Sequence, residues 1–371
     1  MSPTVTTTQE KEGHINPPNP VLGKLRYVPA GYTPKPSPHN YHLPAISEFG
    51  DIRLLPLRSM RPVPTVASLP SATNHAQLAT HGFTAVHHPT TLHSAPYTLS
   101  SWKDPALLKE FYLPDTEAML KQINGCNTVI AEAVLLRSAI WTESDALATH
   151  AGHGGPQPED VPTPPPDNTK KNLETGFPSF IGFNSSTGGV SPAPKPHMDY
   201  SPAGARTHIR KYHLSLTAAA KDIIAAEDEL LSQGKPLKDH YSDSNGPHWA
   251  LYSIWRPLKL VKRDPLALLD QRTLADEDYI PVPIKTPCLG RDTMETHDAG
   301  GFLARYGTGH EWNWIDDQKP EEVLIIGLFD SDMESKGWKA SGGTLHSSVE
   351  LPGTEGEEPR ESLEVRCLCI W

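Results

Sequence analysis

The residues that first suggest chemistry in this chain are Pro196-His197-Met198-Asp199-Tyr200-Ser201. On an extended strand, residues i and i+2 point to the same face. His197 and Asp199 would therefore present an imidazole and a carboxylate side by side. These are two members of the two-histidine, one-carboxylate facial triad that holds non-haem Fe(II) and leaves coordination positions open. The third member has to arrive from a distant strand. Among eighteen histidines, His346 in Gly343-Thr344-Leu345-His346-Ser347-Ser348 is singled out by a second motif downstream of it. This is Arg360-Glu361-Ser362, where a guanidinium fork and a hydroxyl again share one strand face. That pair is a good receptor for a terminal carboxylate. A 2-oxo acid that chelates iron through its keto-acid end needs such a receptor for its far carboxylate. The order His-x-Asp, His, Arg-x-Ser thus points to an Fe(II) centre that uses 2-oxoglutarate and O2. Arg366 lies on the same strand face as Arg360 and is its rival for the carboxylate; it can also meet Glu364.

Other positions carry weaker signals. Arg206 and Arg210 come soon after the His-x-Asp motif and are candidates for binding substrate. Arg256, at the end of a strand beside Pro257, is a further carboxylate candidate, or else a brace for Asp264 or Asp270. Tyr200 and Trp255 either line a pocket or belong to the core, as aromatic residues near buried strands usually do. His310 is the main rival of His346 as a ligand, but it has no arginine downstream at a useful spacing.

These side chains need a scaffold of strands. Of 371 residues, 38 are proline, about twice the usual share. Proline ends helices, so a helical bundle is excluded and short strands joined by long loops are expected. Asp51–Leu55, Gly82–Val86, Thr128–Leu136, His248–Val261, Val323–Phe329 and Leu363–Trp371 read as strands, several of them continuously apolar. Apolar residues at helical spacing over Asp104–Asn124, broken near Pro114, and over Ala203–Gly234 predict helices there. The fold class expected is α+β, mainly β: an antiparallel barrel or sandwich with helices outside.

Residues 1–45 read as a flexible, proline-rich arm. Residues 46–371 read as one domain, interrupted by a proline-, glycine- and charge-rich stretch at about 149–177. That stretch is either a plain surface loop or a mobile lid. The balance of 33 basic against 44 acidic residues gives a formal charge of −11. With no run of Lys or Arg, this argues against nucleic acid and anionic membranes as partners. The four cysteines form no CxxC pair, and there is no apolar leader or membrane-length apolar run. A soluble, cytoplasmic protein acting on a small molecule is expected.

Several segments resemble a fungal and bacterial family of non-haem Fe(II)/2-oxoglutarate oxygenases named after a gibberellin desaturase or a cephalosporin 7-methoxylase component. They include Thr80-His81-Gly82-Phe83, Trp255-Arg256-Pro257-Leu258, Arg263-Asp264-Pro265-Leu266-Ala267, His310-Glu311-Trp312 and Phe329-Asp330-Ser331. The most specific is Arg360-Glu361-Ser362-Leu363-Glu364-Val365-Arg366. The resemblance covers roughly residues 50 to 371. It implies a double-stranded β-helix (jelly-roll, cupin-type) barrel, with His197, Asp199 and His346 as iron ligands and Arg360 and Ser362 on the 2-oxoglutarate carboxylate. It further implies attack on a C–H bond in specialised metabolism: hydroxylation, desaturation, or ring closure such as aziridine formation from an amino acid. The substrate expected is an amino acid or a natural-product intermediate. The competing class is a cupin-like isomerase or hydrolase, or a non-catalytic barrel, because zinc sites also use histidines with a carboxylate. Arg360-x-Ser362 discriminates, since a zinc hydrolase has no use for a 2-oxo-acid receptor.

Overall fold

The computed structural model describes residues 20–35, 41, 43–68, 77–140, 176–183, 190–242 and 244–371. Among them, strands form two large sheets and a small ribbon. In spatial order, the eight-stranded sheet runs Leu22–Tyr27 (β1), Asp51–Ser59 (β2), Trp312–Trp314 (β13), Leu266–Leu269 (β8), His346–Ser348 (β15), His197–Met198 (β6), Gly301–Ala304 (β12) and Tyr279–Val282 (β9). The six-stranded sheet runs Phe83–His87 (β3), Glu322–Asp330 (β14), Trp249–Pro257 (β7), Ser362–Ile370 (β16), Thr128–Arg137 (β4) and Ser179–Ile181 (β5). Lys285–Pro287 (β10) and Thr296–Asp298 (β11) make the ribbon. Non-sequential neighbours and largely antiparallel pairing give a jelly-roll arrangement.

The long strands β4, β7, β14 and β16 are the apolar runs seen in the sequence, and every residue of β7 and β14 is buried. Such strands are covered on both faces. One face of the six-stranded sheet packs on the helix Leu113–Asn124, in a cluster that includes Trp102, Leu120, Val134, Ile254 and Val365. A π-helical turn, Leu108–Tyr112, runs directly into that helix, so the hydrogen-bond pattern changes just ahead of Pro114, which has no N–H to give. The helices Pro202–Lys211, Leu214–Ala219 and Lys221–Ser232 make a second layer, through Ile209, Leu216 and Ile223 against Trp249 and Phe329.

Part of the expected arm is sheet: Leu22–Tyr27 pairs with β2 in antiparallel register. That stretch contains no proline, and Leu25 and Tyr27 are buried in the core. Residues 1–19, 36–40 and 42 of the arm, and all but 176–177 of the expected 149–177 lid, lie outside the described residues.

Candidate active site

Two very short strands carry the histidines of a cluster that could hold a metal ion. His197 on β6 and His346 on β15 are direct cross-strand partners, with ring centroids 4.4 Å apart. Asp199 comes just after β6, and its Oδ1 lies 3.6 Å from His197 Nε2. One donor atom from each of the three residues falls within 4.8 Å of the others, and all three residues are buried. The chain turns away immediately afterwards. Ser201 caps the helix Pro202–Lys211 by accepting from Gly204 N at 3.0 Å. A side chain at Gly204 would overlap the carbonyl oxygen of Ala299, so glycine is what lets the helix begin so close to the ligands.

Both histidines are oriented by the same local device. His197 Nδ1 donates to the carbonyl of Lys195 at 2.6 Å, and His346 Nδ1 to the carbonyl of Thr344 at 3.0 Å. The proton is thereby fixed on Nδ1, and each Nε2 lone pair is left for a metal. Burial, with His346 second, pushes the His197 imidazolium down to about 3, so the ring is neutral as a ligand must be. Burial alone would raise the Asp199 carboxyl. Arg366 and the two imidazoles overcome that and hold it well below the usual carboxylate range. Two imidazoles with Nε2 turned to the cluster and one ionised carboxylate make a donor set that fits Fe(II).

Two cavities meet at His197. The smaller, of about 340 Å³, is lined by His197, His346, Trp255, Ser348, Arg360 and Glu364, among others. Arg360 is buried in its wall. Nη1 donates to the carbonyl of Asp264 at 2.6 Å, the guanidinium stacks 5.2 Å from the Trp255 ring, and Nε has no partner. Among the described residues no carboxylate side chain pairs with it. Burial, with Arg137 second, pulls its pKa down to about 9. The Ser362 hydroxyl is also buried without a partner. A buried cation with an unpartnered Nε calls for an anion; Ser362 itself is not among the residues that line the smaller cavity.

The larger cavity, of about 1010 Å³, lies on the Asp199 side. Leu43, Leu135, Ile181 and Ile284 give it apolar walls, and Tyr41, Lys195 and Tyr200 add polar groups.

The remaining candidates separate cleanly. Arg366 is not in the wall of the smaller cavity; it pairs with Asp199 at 3.1 Å and reaches Tyr200 Oη and Glu364 Oε1 at 3.3 and 3.4 Å. Tyr200 lines the larger cavity and Trp255 the smaller. Arg206 and Arg210 do not reach either cavity. They face the helical layer, where Arg206 pairs with Glu227 and Glu334, and Arg210 with Glu227 and Asp228. Arg256 is turned to the opposite face from Trp255, as the alternation of a strand requires. It braces neither Asp264 nor Asp270, but donates to the carbonyls of Pro320 and His88 at 2.7 and 2.9 Å. His310 pairs with Asp278 at 3.0 Å and is not a ligand of the triad.

Sequence reasoning missed Arg137, which lines both cavities, and Lys195 and Tyr41 in the larger one. Arg137 was legible as a lone cation closing the apolar run of β4. Nothing in the sequence marks Tyr41.

A family model described as an oxidoreductase/YMDC permease-like domain matches residues 59–370. The gibberellin cluster GA4 desaturase of Gibberella fujikuroi is 33% identical over 78% of this chain and 82% of its own length. The chain belongs to this family of non-haem iron, 2-oxoglutarate-dependent oxygenases. The oxygenase is also 38% identical to the oxidoreductase chry3 of Gibberella zeae, over 95% of this chain and 98% of that one. Its fold matches a solved iron and alpha-ketoglutarate-dependent endoperoxidase, NvfI, with a TM-score of 0.55 at 19% identity. That match covers 94% of the oxygenase and 97% of NvfI. No described helix is long and apolar enough to cross a membrane.

Proposed function

We propose that His197, Asp199 and His346 hold Fe(II), and that 2-oxoglutarate occupies the smaller cavity with its far carboxylate on Arg360 and Ser362. With co-substrate and O2 bound, the iron supplies the oxidising power for cleaving an unactivated C–H bond. The chain's own residues do the rest. The carbonyls of Lys195 and Thr344 hold the imidazole tautomers. Arg366 holds the carboxylate. Trp255, stacked on Arg360, keeps water from the receptor.

The larger cavity is the substrate site in this reading. Its walls mix apolar side chains with charged ones, Arg137, Lys195, Glu364 and Arg366 among them, which suits an amino acid or a natural-product intermediate of fungal specialised metabolism. The GA4 desaturase and NvfI carry names of different oxidative outcomes. Hydroxylation, desaturation and ring closure share one centre and differ in how the substrate is held. A cytoplasmic location fits the absence of a membrane-spanning helix among the described residues.

The observation that carries this reading is the buried triad whose two rings turn unprotonated Nε2 atoms toward one carboxylate, next to a cation with no carboxylate partner. The test is anaerobic titration of the purified protein with Fe(II) and then 2-oxoglutarate, monitored by the visible charge-transfer absorption of an iron–keto-acid chelate. A saturable band lost in His197→Ala supports the assignment. Absence of the band, with tight zinc binding instead, would move the protein to the cupin-like hydrolase class.

A further inference from the structure

The smaller cavity contains a second cation besides Arg360. Arg137 ends β4 and stands directly opposite Ser362 of β16 in the strand register. Directly opposed residues project to the same face of a sheet, so Arg137 enters the barrel interior at the level of the receptor hydroxyl. It lines the smaller cavity together with Arg360. Its own partners leave capacity unused. Nη1 donates to the carbonyl of Ser191 at 2.7 Å, and Nη2 has only a loose approach of 3.9 Å to Glu364. Glu364 is itself shared with Arg366.

Charge gives the same answer. The two cavity walls hold Arg137, Lys195, Arg360 and Arg366 against Glu364 and Asp199, with Lys195 on the larger cavity only. Arg366 is committed to Asp199. That leaves two guanidiniums in the wall of the smaller cavity with one carboxylate, Glu364, in the same wall; Asp264 acts on Arg360 from outside it, and the Arg137–Glu364 pair is too long for a hydrogen bond. A buried site with surplus positive charge is completed by an anionic ligand.

We infer that Arg137 is a third member of the co-substrate receptor, reading the far carboxylate of the keto acid together with Arg360 and Ser362. The inference rests on the functional reading above. It also makes the receptor a bridge between two strands, β4 and β16, rather than a property of the Arg-x-Ser motif alone. With two cations, the receptor selects strongly for dicarboxylic over monocarboxylic keto acids.

The experiment uses the full chain loaded anaerobically with Fe(II). The absorbance titration is run with 2-oxoglutarate and with 2-oxobutyrate, which has the same keto-acid end but no far carboxylate. Wild type, Arg137→Gln, Arg137→Lys and Arg360→Gln are compared. Loss of one charge-assisted contact is expected to raise the dissociation constant of 2-oxoglutarate about tenfold or more in Arg137→Gln. Arg137→Lys should recover part of that. The 2-oxobutyrate constant should be unchanged in both, because that ligand has no group for Arg137 to read.

If Arg137→Gln binds 2-oxoglutarate like the wild type, the inference is overturned. It is equally overturned if both keto acids weaken by the same factor, since Arg137 would then act on the metal end or on the fold. A wild-type protein that gives no keto-acid band fails at an earlier step, and that outcome sinks the functional reading itself.

Discussion

Arg366 donates from Nη2 to Oδ2 of Asp199 at 3.1 Å, so a residue of one sheet holds the carboxylate that stands beside the histidines of the other. Asp199 is buried, and Arg366 is largely covered, with about a fifth of its side chain exposed. Removing one partner of such a pair leaves an uncompensated charge. Arg366→Leu is therefore expected to lose about 3–5 kcal/mol of stability in urea unfolding. Its Fe(II) affinity should fall about 10–100-fold, as for other groups that orient a metal ligand. Unchanged Mn(II) or Fe(II) affinity in a folded Arg366→Leu protein would refute the positioning role.

His197→Ala and His346→Ala should each abolish saturable Fe(II) binding, measured by calorimetry under nitrogen. His310→Ala should not, because its ring is engaged with Asp278 and Tyr27. Retained tight binding in His346→Ala together with loss in His310→Ala would reverse that assignment.

Arg360→Gln separates binding from turnover. The KM for 2-oxoglutarate is expected to rise about 10–100-fold, matching loss of a charge-assisted bidentate contact. The turnover number at saturating co-substrate should stay within about a factor of three, since the lost contact acts equally on ground and transition states. Succinate release is the readout. A collapse of turnover with unchanged KM would place Arg360 in the chemistry instead.

Arg206→Met should affect folding and leave the site alone. Glu227 has no exposed surface and depends on Arg206, Arg210 and Trp249 for its partners. Breaking that network is expected to lower stability by about 3 kcal/mol, while the keto-acid titration stays as in wild type. A shifted keto-acid or substrate constant at unchanged melting temperature would bring Arg206 back as a binding residue.

The apoprotein should lose stability on mild acidification through His88. Burial, with Arg256 second, pushes its imidazolium down to about 4. The unfolded chain takes up a proton near pH 6.5, and the folded chain resists until about pH 4. Between those values the unfolded state binds more protons, so stability falls as pH drops through that window and levels off below it. Urea midpoints at pH 7 and pH 5 in wild type and His88→Gln measure the effect. Equal pH slopes in the two proteins would exclude His88 as its source.

The long strands were legible because burial on both faces writes a continuous apolar run, as in Val323–Phe329 and Thr128–Leu136. The short strands were not. β6 has two residues and β15 has three, and only pairing with each other and with β8 and β12 makes them strands. His197 and Asp199 could still be found, because the i, i+2 spacing survives in so short a segment. His346 was found through Arg360 and Ser362 downstream. The weaker substrate candidates divide: Tyr200 and Trp255 line cavities, whereas Arg256, adjacent to Trp255 on one strand, necessarily faces the other way. Arg206 and Arg210 could not be placed from spacing, because their acidic partners lie on another helix and beyond β14. Leu22–Tyr27 was hidden inside a proline-rich stretch by composition averaged over too long a window.

Both ligand histidines take their orientation from main-chain carbonyls, those of Lys195 and Thr344, rather than from carboxylate or amide side chains. A carbonyl survives the replacement of the side chain attached to it. The identity of residue 195 is thus uncoupled from the tautomer of His197, although Lys195 is part of the wall of the larger cavity. The Lys195 side chain is itself buried, with Nζ donating to the carbonyl of Pro44 at 2.7 Å, so its own bonds, not the ring's tautomer, are what a substitution there would change. On the proposed reading, the ring orientation at the centre therefore does not depend on which side chain at position 195 faces the substrate.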